Sequence, residues 1–411
     1  MVNTMKLAGP ATGKAYVVIG GSGLVGRFIV RSLLGRGETL VRNIDITPPD
    51  LSGDPNAPDH VSRAEFIRAD VTSYESIKDA MSQTFGNTGL TAQVIIHTVG
   101  VIRHWERLPY LKHLCHDINV GGTKNVLKIA QDLGSVRAFI FTSSVTAVVS
   151  PMKYLRLWRQ KPLVFSDEPV EGALLSNNHY PASKREADTL VRAADDVKGI
   201  RTGVLRPGMS ITGPGDQHVT VFLRSKGVIP SWGDGFLLSI SNPWDIARAH
   251  ILYADALETR PDEVGGKGFV LTGQSSPTRY GYSNRVIQFY CNRDLKFQPM
   301  PAVLFYVLAH LMELFFLARY YILRTISVFT DTKTSFVPQW AMDNNAVLLQ
   351  PAAWDFAFAD YVIDDSQARK LLGYRNLWTN EQTLRWTVES IQGQSSQRCI
   401  DRREWMTARG G

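Results

Sequence analysis

The stretch 16–45, YVVIGGSGLVGRFIVRSLLGRGETLVRNID, limits what this chain can fold into more than any other feature. The apolar run Tyr16, Val17, Val18, Ile19 breaks at Gly20-Gly21-Ser22-Gly23-Leu24-Val25-Gly26, and Phe28, Ile29, Leu33 and Leu34 then recur at helical spacing. The order predicts a strand, a tight turn and a helix. Gly20 and Gly23 let the backbone turn and approach a diphosphate, Leu24 and Val25 carry N–H groups at the helix start, and Gly26 lets helix and strand pack closely. A second apolar strand ends at Asp45, 19 positions beyond Gly26. A carboxylate there accepts hydrogen bonds from an adenosine ribose and repels a 2′-phosphate. The expected cofactor is therefore NAD, not NADP. Arg42, which could favour NADP, precedes the strand end and carries little weight. A plain glycine-rich turn, with Asp45 capping a strand, is the bland alternative.

A chain of 411 residues that is 44% apolar can bury one large α/β unit plus an appendage. The expected architecture is α/β, a Rossmann-type doubly wound parallel sheet over residues 1–207. A smaller mixed α/β substrate region follows over 208–393, then a loose polar tail over 394–411. Cys115, Cys291 and Cys399 lie far apart, so no disulfide framework or zinc site is indicated. His113 and His116 flank Cys115, but no second cluster completes a shell, and no metal is expected. The net charge of +7 comes without a consecutive basic block, which argues against nucleic acid. The first residues hold no apolar run of signal-peptide length.

Along the chain, residues 47–60 are rich in Pro, Asp and Gly and predict a loop. Asp70 and Val71 end the next strand, where they contact an adenine ring or, equally, Asp70 caps the helix starting near Ser73. The strand over 93–97 brings His97 and the small residues Thr98, Val99 and Gly100 alongside a nicotinamide ribose, so His97 is expected among the cofactor contacts. Asn119 sits in DINVGGTKNV, a helix weakened by two glycines, where its side chain can hold a water or simply face solvent. Thr142, Ser143 and Ser144 end another strand, at the sheet edge where open α/β folds bind ligands. Residues 150–178 read as an inserted loop. Tyr180 and Lys184 then stand four apart on one helix face. Tyr74 and Lys78 repeat that spacing, but they open the helix after the third strand, away from the hydroxyl run. Asn242 and Pro243 predict a helix start. The segment 301–323 would run roughly 33 Å as a helix. His310, Glu313 and Arg319 interrupt it, so it fits a helix lying in a membrane interface better than a spanning one, and a core helix is the alternative.

In this order the pieces resemble the extended short-chain dehydrogenase/reductases, and within them the 3β-hydroxysteroid dehydrogenase family. The segment after Pro301 looks like the membrane-associating stretch of that family's sterol enzymes, especially the decarboxylating sterol-4α-carboxylate 3-dehydrogenases. The loop before Tyr180, the Thr98-Val99-Gly100 turn and the Trp244-Asp245-Ile246-Ala247 run depart from the family pattern. The resemblance implies NAD-dependent oxidation of the 3β-hydroxyl of a sterol or triterpenoid, with or without loss of a C-4 carboxylate. It implies Tyr180 as base, Lys184 lowering the phenol's pKa and gripping the ribose, Ser144 (or Ser143) holding the alcohol, and Asn119 anchoring a relay water. It also implies a place on the cytosolic face of the endoplasmic reticulum membrane, and it admits a homodimer. A nucleotide-sugar epimerase or dehydratase would share the fold and the Tyr-Lys pair, and a specialised terpenoid dehydrogenase is a nearer rival. The apolar segment weighs against a sugar nucleotide.

Overall fold

The computed structural model describes residues 9–49, 64–103, 107–148, 162–168, 178–216, 218–225, 228–231, 233–273, 277–292, 294–329, 338, 340–341, 349–352 and 360–393. Most of the loop over 47–60, most of the insertion over 150–178 and the tail over 394–411 lie outside them.

Seven strands form one parallel sheet: β1 Ala15–Ile19, β2 Leu40–Asp45, β3 Glu65–Arg68, β4 Val94–His97, β5 Ala138–Thr142, β6 Arg201–Pro207 and β7 Gly268–Leu271. Their spatial order is β7-β6-β5-β4-β1-β2-β3, and every neighbouring pair is parallel. Buried runs such as AYVVI in β1 and AFIFT in β5 suit strands covered on both faces. The chain steps one way from β1 to β2 and the other way to β4, which opens a crevice beyond the carboxyl ends of β1 and β4.

Helices α1 Gly26–Arg36 and α5 Pro243–Thr259 close one face. Helices α2 Tyr74–Ser82, α3 Thr123–Leu133 and α4 His179–Ala193 close the other. As expected, α5 begins with Asn242 as cap, its side chain accepting from the Trp244 N–H at 2.9 Å, and Pro243 in the first turn.

The sheet does not end at residue 207 as expected, since β7 pairs beside β6 as its seventh strand. Three further elements differ from the sequence reading. Within the expected loop, Leu163–Phe165 is a short strand parallel to Tyr361–Ile363. Its partner is almost two hundred positions away, so no local pattern signals it. The weak helix around Asn119 is a single π-helical stretch, Asp117–Gly122, between α3 and the short helix Lys112–His116. The apolar segment forms α6, Ala302–Phe329, about 42 Å long and continuing past the expected end. A core helix would be enclosed, yet only Phe305, Ala309 and Phe316 of α6 are buried.

Candidate active site

The carboxyl edge of the sheet gathers the glycine turn, the loop after β4, the hydroxyl run after β5 and the first turns of α4. Asn178 caps α4 by accepting from the Tyr180 N–H at 3.2 Å. That cap fixes Tyr180 in the first turn, with Lys184 one turn on along the same face. Both are buried, at 6% and 3% exposure. The Ser144 hydroxyl stands near enough to the Tyr180 phenol to draw its pKa down. The Thr146 N–H and hydroxyl donate to the same Ser144 oxygen at 3.2 and 2.9 Å, so its place is set by the turn that follows β5. Lys184 Nζ donates to the Thr142 carbonyl at 3.0 Å and lies 4.8 Å from the centre of the Phe141 ring. The Ser143 hydroxyl is buried without a hydrogen-bond partner.

Burial governs the electrostatics here. It pushes the Tyr180 phenol up to about 12, against a smaller downward pull from the Ser144 hydroxyl. It pushes the Lys184 ammonium down to about 8, against the upward pull of Asp188 and Cys115. The sequence reading has Lys184 making the phenol acidic, whereas here desolvation dominates and Ser144 is the group that opposes it.

Asn119 sits 0% exposed behind this pair. Its amide donates to the Val101 carbonyl at 3.1 Å and to Ser183 Oγ at 2.9 Å, and its oxygen accepts from the Val101 N–H at 2.8 Å. Ser183 Oγ in turn donates to the Tyr180 carbonyl at 2.8 Å. Both amide hydrogens are spent on protein, so Asn119 clamps the loop after β4 to α4.

His97 requires a correction. Its ring is fully buried and stacks 5.6 Å from Phe141. Thr123 Oγ1 spends its hydrogen on the Asn119 carbonyl, so His97 Nε2 donates to Thr123 at 3.1 Å. Burial, with a smaller contribution from Lys184, lowers its pKa to about 3, and the side chain is a neutral, fully enclosed core residue.

The turn after β1 fits a dinucleotide. A Cβ on Gly26 would stand 2.1 Å from the Gly20 carbonyl oxygen, so only glycine permits this approach of helix and strand. The Asp45 carboxylate sits half-buried at the end of β2, accepting from the N–H groups of Ser22 and Thr47 at 3.1 Å each. Val25 is buried and Leu24 half-buried at the mouth of α1. Arg42 points the other way. It is bonded to Glu65 and to the carbonyls of Gln83 and Thr84, and its guanidinium covers the Phe85 ring. Asp70 accepts from the N–H and hydroxyl of Thr72 at 2.9 and 2.8 Å and stays exposed, while Val71 is buried against Gly122. His116 pairs with Glu186 at 3.1 Å at the surface.

Residues 17–294 match the 3-beta hydroxysteroid dehydrogenase/isomerase family. The chain belongs to that family. It is an oxidoreductase with the Rossmann-type architecture of the family. A human relative, 3 beta-hydroxysteroid dehydrogenase type 7, is 27% identical over 397 residues, covering 92% of this chain and 95% of its own. The decarboxylating sterol-4-alpha-carboxylate 3-dehydrogenase of Candida albicans is 26% identical over 281 residues, 65% of this chain and 72% of its own. Among solved structures, the NAD complex of Thermus thermophilus UDP-glucose 4-epimerase superposes with a TM-score of 0.61 at 16% identity, covering 93% of this chain and 100% of its own. At that identity the likeness speaks for the fold alone.

Sequence reasoning missed several residues around this family's site. His250 and Asp188 reach it from α5 and from the next turn of α4, and Cys115 lies within electrostatic reach of Tyr180 and Lys184. Asp188 stands four positions after Lys184, a spacing that the sequence does display. Nothing local marks His250, and the histidines that flank Cys115 suggest a metal rather than this site.

Proposed function

We propose that the protein oxidises the 3β-hydroxyl of a sterol or triterpenoid to the ketone with NAD, at the Tyr180, Lys184 and Ser144 site. The observation that supports this is a buried Tyr180 phenol within reach of the Ser144 hydroxyl, which pulls its pKa down, and a buried ammonium, Lys184, one helical turn on. Gly20, Gly23, Leu24, Val25 and Gly26 would seat the diphosphate, Asp45 the adenosine ribose, Asp70 and Val71 the adenine, and Lys184 the nicotinamide ribose. When bound, NAD supplies a hydride acceptor. Ser144 would hold the alcohol oxygen, and Tyr180 would take its proton. A phenol held near 12 is a poor base, so the proton leaves it only with positive charge close by. Lys184, one helical turn on, would supply that charge. Asn119, through Ser183, would keep the first turn of α4 in place.

If the substrate bears a carboxylate beside the oxidised carbon, the product is a β-keto acid. Such an acid loses carbon dioxide without a further catalytic residue, because the ketone accepts the developing charge. The exposed apolar side of α6, with Leu311, Leu314, Tyr321 and Ile322, supports a seat on a lipid surface from which such a substrate is drawn. The test is incubation with NAD and a panel of 3-hydroxy sterols and triterpenoids, with and without a 4-carboxyl group, read by mass spectrometry. NADH and a 3-ketone are expected, and the 4-carboxy substrates are expected to yield a ketone short of one carboxyl. Protein that retains cofactor and forms no NADH with any member of the panel would overturn the reading.

A further inference from the structure

The carbonyl that receives Lys184 belongs to Thr142, and the side chain of Thr142 is held from behind. Its hydroxyl lies 2.7 Å from Nε2 of His250 on α5, and both residues are buried. His250 Nδ1 lies 2.8 Å from the Ile246 carbonyl one turn earlier. A carbonyl only accepts, so Nδ1 carries the ring hydrogen. Complete burial lowers the His250 pKa to about 4, so the ring is neutral at physiological pH and Nε2 presents a bare lone pair. The Thr142 hydroxyl therefore donates to it. The result is one directional relay: Ile246 carbonyl, His250 ring, Thr142 hydroxyl, then the Thr142 carbonyl and Lys184 Nζ at 3.0 Å.

From this we infer that His250 is a positioning residue for the reaction, acting through Thr142 to aim the carbonyl that orients Lys184. The inference rests on the catalytic reading of Tyr180 and Lys184. A side-chain anchor and a main-chain contact on the same residue fix the twist of the last residue of β5. The Ser143 N–H, bonded to the Leu205 carbonyl at 2.7 Å, pins the next peptide. With both in place, Ser144 and the carbonyl that holds Lys184 are set by the same strand end. A histidine suits this place because its ring spans the distance from helix to strand, and because its neutral form adds no second positive charge beside a buried ammonium.

The experiment compares steady-state kinetics of Thr142→Val, His250→Phe, the double variant and His250→Gln with those of the wild type, Lys184→Met and Tyr180→Phe. Thr142→Val removes the donor at nearly constant shape, so it decides the matter alone if His250→Phe does not fold. Each of the two is expected to lower kcat about tenfold with KM for the sterol within about twofold, as losses of an orienting outer contact do. The double variant should be no slower than the slower single, since both cut the same bond. Glutamine offers an accepting carbonyl near the position of Nε2, and His250→Gln should recover to within about threefold of the wild type. Wild-type kcat in Thr142→Val, or full additivity in the double variant, would overturn the inference. If Lys184→Met and Tyr180→Phe turn over normally, the catalytic reading falls and takes this one with it. If they are dead while Thr142→Val is unimpaired, only the role of His250 is lost.

Discussion

Tyr180 and Lys184 both occupy places that disfavour their charged forms, and this has opposite consequences for activity and stability. Tyr180→Phe keeps the ring and removes the hydroxyl, so turnover should fall by about a hundredfold or more while NAD affinity holds. Stopped-flow hydride transfer with a parallel NAD titration checks this. Lys184→Met should abolish turnover yet stabilise the fold at neutral pH. The folded ammonium titrates at about 8 against an ordinary 10.5, a difference on the order of 3 kcal/mol. Below pH 8 both folded and unfolded chains hold the proton, and the wild type carries the whole penalty. Between pH 8 and 10.5 the folded chain sheds it first, so the advantage of the variant should shrink across that window. Denaturant melts from pH 6 to about 10 measure it, and a constant difference would count against the buried charge.

Among the elements, the loop after β4 is packed against the site so tightly that one atom matters. A Cβ on Gly100 would lie 2.5 Å from Lys184 Nζ. The flexible lysine end yields before the backbone does, so Gly100→Ala should cost about tenfold in kcat while Tm moves little. Helix α6 makes a separate prediction. Leu311→Glu with Leu314→Glu should weaken flotation on phosphatidylcholine vesicles and leave NAD binding unchanged. The glycine turn, β1, β2, α4 and α5 were legible in the sequence because their signals are local: glycine spacing, an acid at a strand end, an asparagine before a helix. The strand Leu163–Phe165, the inward turn of Asn119 and the burial of His97 were not, because each depends on a distant partner. The residue pattern does place His97 at a strand end, but only the ring of Phe141 decides which way it faces.

Across the whole molecule, one buried cation joins parts of the chain that are far apart. Arg206 at the end of β6 donates to both Asp188 oxygens at 2.7 Å and to the Gly268 carbonyl at 3.3 Å. Arg206→Met would leave the Asp188 carboxylate buried without its two-pronged partner, and is expected to cost about 3–5 kcal/mol in chemical unfolding. Since Asp188 raises the pKa of Lys184, the same variant should also alter the pH profile of any residual turnover. Helix α6 is joined to the body in a different way. Arg107 meets Glu313 through two hydrogen bonds of 2.6 and 2.7 Å, the Tyr110 and Tyr320 rings stack at 3.7 Å, and the Leu108 carbonyl between them binds His179, the neighbour of Tyr180. Anyone wishing to make the enzyme easier to handle would be tempted to cut away residues 302–329. That excision would also remove the support beneath the helix that carries Tyr180 and Lys184, so greasy outward side chains should be repainted one at a time and the beam itself left standing.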